Sequence, residues 1–360
     1  MKTFPLFVFL TLLSFHSFGA DYQVSKIASG FNIPWGLQFL DNQTLIVTEK
    51  SGAIYQLTLP DGQRRKLFNV PQVNAGGQGG LLDVALSPKD KHQLYFTYSR
   101  TTNEGAATTL AHARYENGTL SQWADLLVTS AESDTGRHFG SRIAFDNNEH
   151  LFMTLGDRGE RDYGQDLSNH AATILRLNLD GSVPHDNPFV NRKGYADEVW
   201  TYGHRNPQGI VFDQSTNQLW AIEHGPRGGD EINLISKGKN YGWPVTSHGK
   251  EYWGPISVGE AKELPGITSP SLVYVPSIAP SSLVLYRGNN YPDLNGKLLA
   301  GALKLTHINV IEISGSQTLT EEQRLFEDLN ERIRDITISP DDHIYFSTDN
   351  GNIYQIIPTK

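Results

Sequence analysis

A histidine, a carboxylate, two amides and four long cations occupy comparable places along this sequence. The cations are Arg205, Lys304, Arg332 and Arg334, and the amides are Gln78 and Asn206. His138 lies in Arg137-His138-Phe139-Gly140-Ser141-Arg142, and Asp157 in Gly156-Asp157-Arg158-Gly159. Four cations around one opening repel each other unless an anion binds among them. A guanidinium fork suits planar carboxylates because it donates two parallel hydrogen bonds. A polyanionic ligand is therefore one reading of these cations. Ion pairs with neighbours such as Glu331 and Asp335 are the other. Close to cations the pKa of a histidine falls, so His138 is expected to be neutral near pH 7 and competent as a general base. Asp157 is a candidate to orient it, or to hold a neighbouring group.

A second constellation is richer in oxygen. Glu223-His224-Gly225-Pro226-Arg227-Gly228-Gly229-Asp230-Glu231-Ile232-Asn233 combines Gly and Pro, which expose main-chain carbonyls, with acidic and amide side chains. Oxygen-only donors at this density suit Ca²⁺ and offer little to softer metals. The spacing is not that of an EF-hand, and a solvated polar loop is the alternative.

What positions these residues is an internal repeat. One unit runs Trp35–Phe39, Leu45–Thr48, Ser51-Gly52 and Ile54–Leu57; it recurs as Ile336–Pro340, Ile344–Ser347, Asn350-Gly351 and Ile353–Ile356. Partial copies begin at Leu82, Ile143 and Ile210, with a weaker one near Leu283. Short β-branched and aromatic runs bounded by Gly, Asn, Asp and Pro read as antiparallel hairpins. Six units of roughly 57 residues exceed the ~40–50 of a minimal propeller blade, leaving the excess for loops. The expectation is an all-β, six-bladed β-propeller of four-stranded antiparallel sheets, in one domain over residues 21–360. A short helix is expected only at Thr320–Arg324. In each blade, the loop before the first strand and the loop after the second open on the same face near the axis. Gln78, His138, Arg205-Asn206, Arg332 and Arg334 fall in the first slot; Asp157, His224-Gly225-Pro226 and Lys304 fall in the second.

Composition removes several other functions. Among 360 residues there is no Cys, which excludes disulfides, thiolate metal centres and a cysteine nucleophile. The formal charge of -9 argues against wrapping nucleic acid or lying on an anionic membrane. Residues 1–20 have the layout of a signal peptide: Lys2, an apolar run from Phe4 to Leu13, and small residues at Gly19-Ala20. Export to a periplasmic or extracellular setting is expected, and no later stretch is apolar enough to span a membrane.

Four motifs in order carry a family resemblance: Gly79-Gly80-Leu81-Leu82-Asp83-Val84-Ala85, Gly203-His204-Arg205-Asn206-Pro207-Gln208-Gly209, His224-Gly225-Pro226 with Asp230-Glu231-Ile232-Asn233, and Asn240-Tyr241-Gly242-Trp243-Pro244. Over about Ile33 to Ile356 the chain resembles the soluble aldose sugar dehydrogenases of the glucose/sorbosone dehydrogenase family, which depend on pyrroloquinoline quinone (PQQ), a planar tricarboxylate. The resemblance implies His138 as the base acting on the sugar's anomeric hydroxyl, supported by Asp157. It implies Gln78, Gln165, Arg205, Asn206, Lys304, Arg332 and Arg334 as cofactor contacts. The carbonyls of Gly225 and Pro226 would hold a Ca²⁺ at the cofactor, and Asp230, Glu231 and Tyr241 a second, structural Ca²⁺. An aldose substrate and a separate electron acceptor follow, for a monomer or dimer. Where glucose-oxidising relatives carry aromatics over the cofactor, Pro270–Ser277 offers Leu272 and Val275. A Ca²⁺-dependent lactonase and a non-enzymatic sugar-binding propeller are the competing functions.

Overall fold

The computed structural model describes residues 22–315 and 317–359; the apolar leader read over residues 1–20 lies outside them. The described residues form six four-stranded antiparallel sheets, each made of strands consecutive in sequence except the last. The first blade comprises Pro34–Phe39, Thr44–Glu49, Ala53–Thr58 and Gln63–Asn69. The inner strands of the next four blades are Leu81–Leu86, Ile143–Phe145, Pro207–Asp213 and Pro280–Leu285. The sixth blade runs Ile333–Ile338, Ile344–Thr348 and Ile353–Pro358, and its outer strand is the N-terminal Tyr22–Ala28. That strand pairs Tyr22 with Pro358 and Lys26 with Tyr354, closing the ring. The edge that a linear array of sheets would leave open is thereby paired.

All six repeat units of the sequence become blades. The expected helix at Thr320–Arg324 does not form. These residues belong to the strand Thr318–Leu325, paired along Ile308–Ser314. An outermost strand needs few apolar anchors, here Leu319 and Leu325, so its exposed charged run resembles a helix surface. Pairing overrides that local propensity. Helical structure among the described residues is confined to three short 3-10 turns, and no helix there is long and apolar enough to cross a membrane.

Two devices aim the inner strands at the axis. In five blades the inner strand is bulged against its neighbour close to its start, which turns the incoming loop. A second-strand hydroxyl also donates to the inner-strand edge of the following blade: Thr48 to Leu82, Thr97 to Ser141, Thr154 to Pro207 and Ser347 to Pro34. Arg142, at the start of the third blade, spans the axis. It donates to the carbonyls of Gln208 and Ser281 and pairs with both Asp83 and Asp335.

Candidate active site

The third blade delivers His138 and Asp157 on facing loops. His138 Nδ1 lies 2.6 Å from Asp157 Oδ1, and both side chains are buried. The other carboxylate oxygen accepts the Trp243 indole N–H at 2.7 Å, while Oδ1 also accepts Gly159 N–H at 2.7 Å. His138 is held in the left-handed region, φ 57°, by its own N–H donating to Gln78 Oε1 at 2.8 Å. Such a conformation costs energy for a non-glycine residue and persists where its surroundings enforce it. Gly156 packs so closely that a Cβ there would stand 2.2 Å from the His138 carbonyl oxygen.

Burial, joined by Arg205 and Arg137, outweighs the Asp157 hydrogen bond and holds His138 below its ordinary pKa. Burial works to raise Asp157, but the bonds from His138 and Gly159 prevail and keep its carboxyl low. An ionised Asp157 fixes the proton on Nδ1 and leaves Nε2 as the basic atom.

Near this pair is a cavity of about 290 Å³ whose lining includes Lys50, Gln78, Asn206, His224, Arg332, Arg334 and Asp349. Sequence reasoning placed Gln78, Asn206, Arg332 and Arg334 here, and missed Lys50 and Asp349. Arg332 and Arg334 pair with Asp349 at 2.8 and 2.7 Å, rather than with Glu331 or Asp335. Glu331 is instead bound by Thr348, Asn352 and Tyr354. Three cations against one carboxylate leave the cavity positive. Burial and the nearby Arg334 push the Lys50 pKa down, as expected of a cation among cations. Lys304 is exposed, beside the lining residue Leu303. Asn206 Oδ1 accepts Gly140 N–H at 3.1 Å, tying the fourth blade to the His138 loop.

A smaller cavity adjoins through the shared wall of His224. It is lined by Arg205, Glu223, Gly225, Pro226, Glu231, Tyr241 and Trp243. Arg205 belongs here: it lies over the Trp243 ring and donates to Gly225 O at 2.8 Å. Pro226 O lies 3.3 Å from Ser277 Oγ, whose one proton is shared with the closer Asp230 carboxylate at 3.0 Å. Asp230 is committed to main-chain N–H groups of Gly225 and Ala279 and to Ser277. The Tyr241 hydroxyl donates to Leu234 O at 2.7 Å and accepts Ser236 N–H at 2.8 Å, so it is held by its own loop. Glu231 faces Glu223 across the sheet, and burial with that like charge pushes its carboxyl well up. Gln165 exchanges amide hydrogen bonds with Asn240 and donates to Trp243 O, so it braces the loop around Asp157's partner. In the Pro270–Ser277 segment, Leu272 is half-buried, Val275 is exposed and Tyr274 turns into the core.

Residues 31–355 match the family described as Glucose / Sorbosone dehydrogenase. The chain belongs to this family. It is accordingly an oxidoreductase. It is 37% identical over 350 residues to the aldose sugar dehydrogenase YliI of Escherichia coli K12, covering 94% of each chain. The apo crystal structure of soluble aldose sugar dehydrogenase from Escherichia coli superposes with a TM-score of 0.90 at 34% identity, covering 94% of this chain and all of that one. The PQQ-bound aldose sugar dehydrogenase of Streptomyces coelicolor superposes with a TM-score of 0.77 at 25% identity, covering 94% and 99%.

Proposed function

We propose that this dehydrogenase oxidises aldoses at C1 to the lactone with PQQ as the bound acceptor, and passes the electrons to a separate acceptor outside the cytoplasm. The observation that carries this reading is the His138–Asp157 pair beside a positively lined cavity. A planar tricarboxylate fits that lining, because Lys50, Arg332, Arg334, Gln78 and Asn206 offer charged and amide donors from four blades. When bound, PQQ supplies a two-electron acceptor for hydride leaving the sugar carbon.

The chain's own contribution is to the proton. His138 Nε2 takes it from the C1 hydroxyl, and Asp157 stabilises the imidazolium that forms. Trp243 and Gly159 hold Asp157 so that the pair does not reorganise during the transfer. A calcium ion also fits the smaller cavity. Gly225 O and Pro226 O each keep a lone pair, and Glu231 stands close to Glu223 without a cation of its own. Among the described residues no three His, Asp or Glu side chains form a ligand set, so main-chain carbonyls with Glu231 would hold it. Its chemistry there would be that of a hard, oxygen-seeking Lewis acid.

Reconstitution tests the reading. Purified apoprotein should reduce an electron-accepting dye with aldoses only after PQQ and Ca²⁺ are added. No activity across pentoses, hexoses and disaccharides would sink it. His138→Ala should retain cofactor binding while turnover falls at least ~10²-fold.

A further inference from the structure

The hairpin of residues 249–258 leaves its tip bare. Trp253 is 75% exposed, Tyr252 66% and Ile256 53%. Its tip, Tyr252-Trp253-Gly254-Pro255-Ile256, carries no charge. Apolar side chains clustered in water on an acidic protein mark a contact surface more often than chance.

The hairpin is firmly placed. Its turn is closed by Glu251 N–H to Ile256 O at 2.8 Å and Val258 N–H to Gly249 O at 3.1 Å. Lys250 and Arg227 exchange both main-chain hydrogen bonds at 3.1 Å, fastening it to the loop that carries Gly225 and Pro226. On the other side, Glu251 takes a two-pronged bond from Arg161 at 2.7 and 2.9 Å. The Arg161 guanidinium lies 5.6 Å from the Trp243 ring centroid, and Trp243 donates to Asp157. The bare tip is therefore tied at two points to the walls of the site.

Resting on the aldose reading above, we propose that Trp253 is a specificity residue that stacks on the non-reacting ring of a disaccharide or longer aldose. A neutral polyol with an apolar C–H face matches an uncharged aromatic surface. A charged partner would find no counter-ion at the tip. An indole also provides large contact area at low entropic cost, which suits a weak, orienting contact. The Pro270–Ser277 segment supplies no exposed ring of its own, since Tyr274 is buried; among the described residues the hairpin carries two exposed aromatic rings, Tyr252 and Trp253, with Tyr195 the other large one, at 44%.

Trp253→Ala in the PQQ-reconstituted enzyme tests this with maltose and xylose. KM for maltose should rise at least about fivefold, the scale of one aromatic stacking contact. The kcat and the KM for xylose should stay within about twofold, and Trp253→Phe should restore most of the maltose affinity. Maltose titrated into apoprotein, followed calorimetrically, should show the same loss for Trp253→Ala. Equal losses with both sugars, no loss, or a change confined to the dye's KM would overturn the proposal. The last outcome would assign the hairpin to the electron acceptor. Wild-type enzyme inactive with every aldose would instead overturn the aldose reading, and this inference with it.

Discussion

The Asp157 carboxylate bridges His138 Nδ1 at 2.6 Å and the Trp243 indole N–H at 2.7 Å, so one buried anion fixes both the base and the ring beside it. Asp157→Asn keeps the shape but removes the charge that stabilises an imidazolium. Turnover should fall about 10²-fold or more with cofactor binding little changed. Steady-state kinetics alongside a PQQ titration checks this; retained turnover would show that the pair is only structural.

The acid limb of kcat/KM should have its midpoint below 6.5, the ordinary histidine value from which His138 is lowered. The base must be neutral, so activity is present above the folded pKa and is lost as pH falls through it. Burial is the largest cause and Arg205 adds to it. Arg205→Gln should therefore move the limb to higher pH, and an unmoved limb would remove Arg205 from that role.

The site was legible wherever it follows the blade repeat. The slots around first and second strands pointed to His138, Asp157, Gln78, Asn206, Arg332 and Arg334. Lys50 directly follows the second strand Thr44–Glu49 and Asp349 directly follows Ile344–Thr348, so the same rule applied to every blade would have found both. Asp349 matters to the charge balance because it is the counter-ion of both Arg332 and Arg334. Trp243 and the 249–258 hairpin lie in a long insertion between strands. Such a segment has no periodicity, and only tertiary hydrogen bonds reveal which way its rings face. The Thr320–Arg324 error has the opposite origin, a strong local preference overruled by strand pairing.

The two arginines on Asp349 should contribute unequally to cofactor affinity. The Arg334 side chain is 12% exposed and that of Arg332 50%. Water screens the second far more. Arg334→Gln should weaken PQQ binding at least about tenfold, and Arg332→Gln no more than about threefold. Equilibrium titration of the apoprotein with PQQ measures both; equal losses would mean that exposure does not decide the contribution.

Gly156→Ala should act on the base without touching its chemistry. The added Cβ would meet the His138 carbonyl oxygen at 2.2 Å, a main-chain atom that cannot swing aside. The His138 loop must shift, and small misplacement of a base can cost about 10²-fold in rate. Lower kcat with near-normal PQQ affinity is expected; wild-type kinetics would show that the loop yields freely.

Arg142 reaches every other blade: carbonyls of Gln208, Ser281 and Arg334, carboxylates of Asp83 and Asp335, and the Trp35 ring at 4.1 Å. One guanidinium thus faces two buried carboxylates, and burial raises both, Asp335 to about 7. Removing the cation strands both anions, so Arg142→Met should cost about 3–5 kcal/mol in urea unfolding. The pH dependence has a definite sign. A carboxyl raised on folding lends stability fully below its unfolded pKa, near 3.8, and loses it as pH rises through about 7. Asp335→Asn removes that contribution while its carbonyl oxygen can still accept Leu37 N–H. The variant's urea midpoint should therefore decline less than the wild type's between pH 4 and 7. An equal decline would place the titration elsewhere, and a small loss on Arg142→Met would show that the axis holds its charge without Arg142.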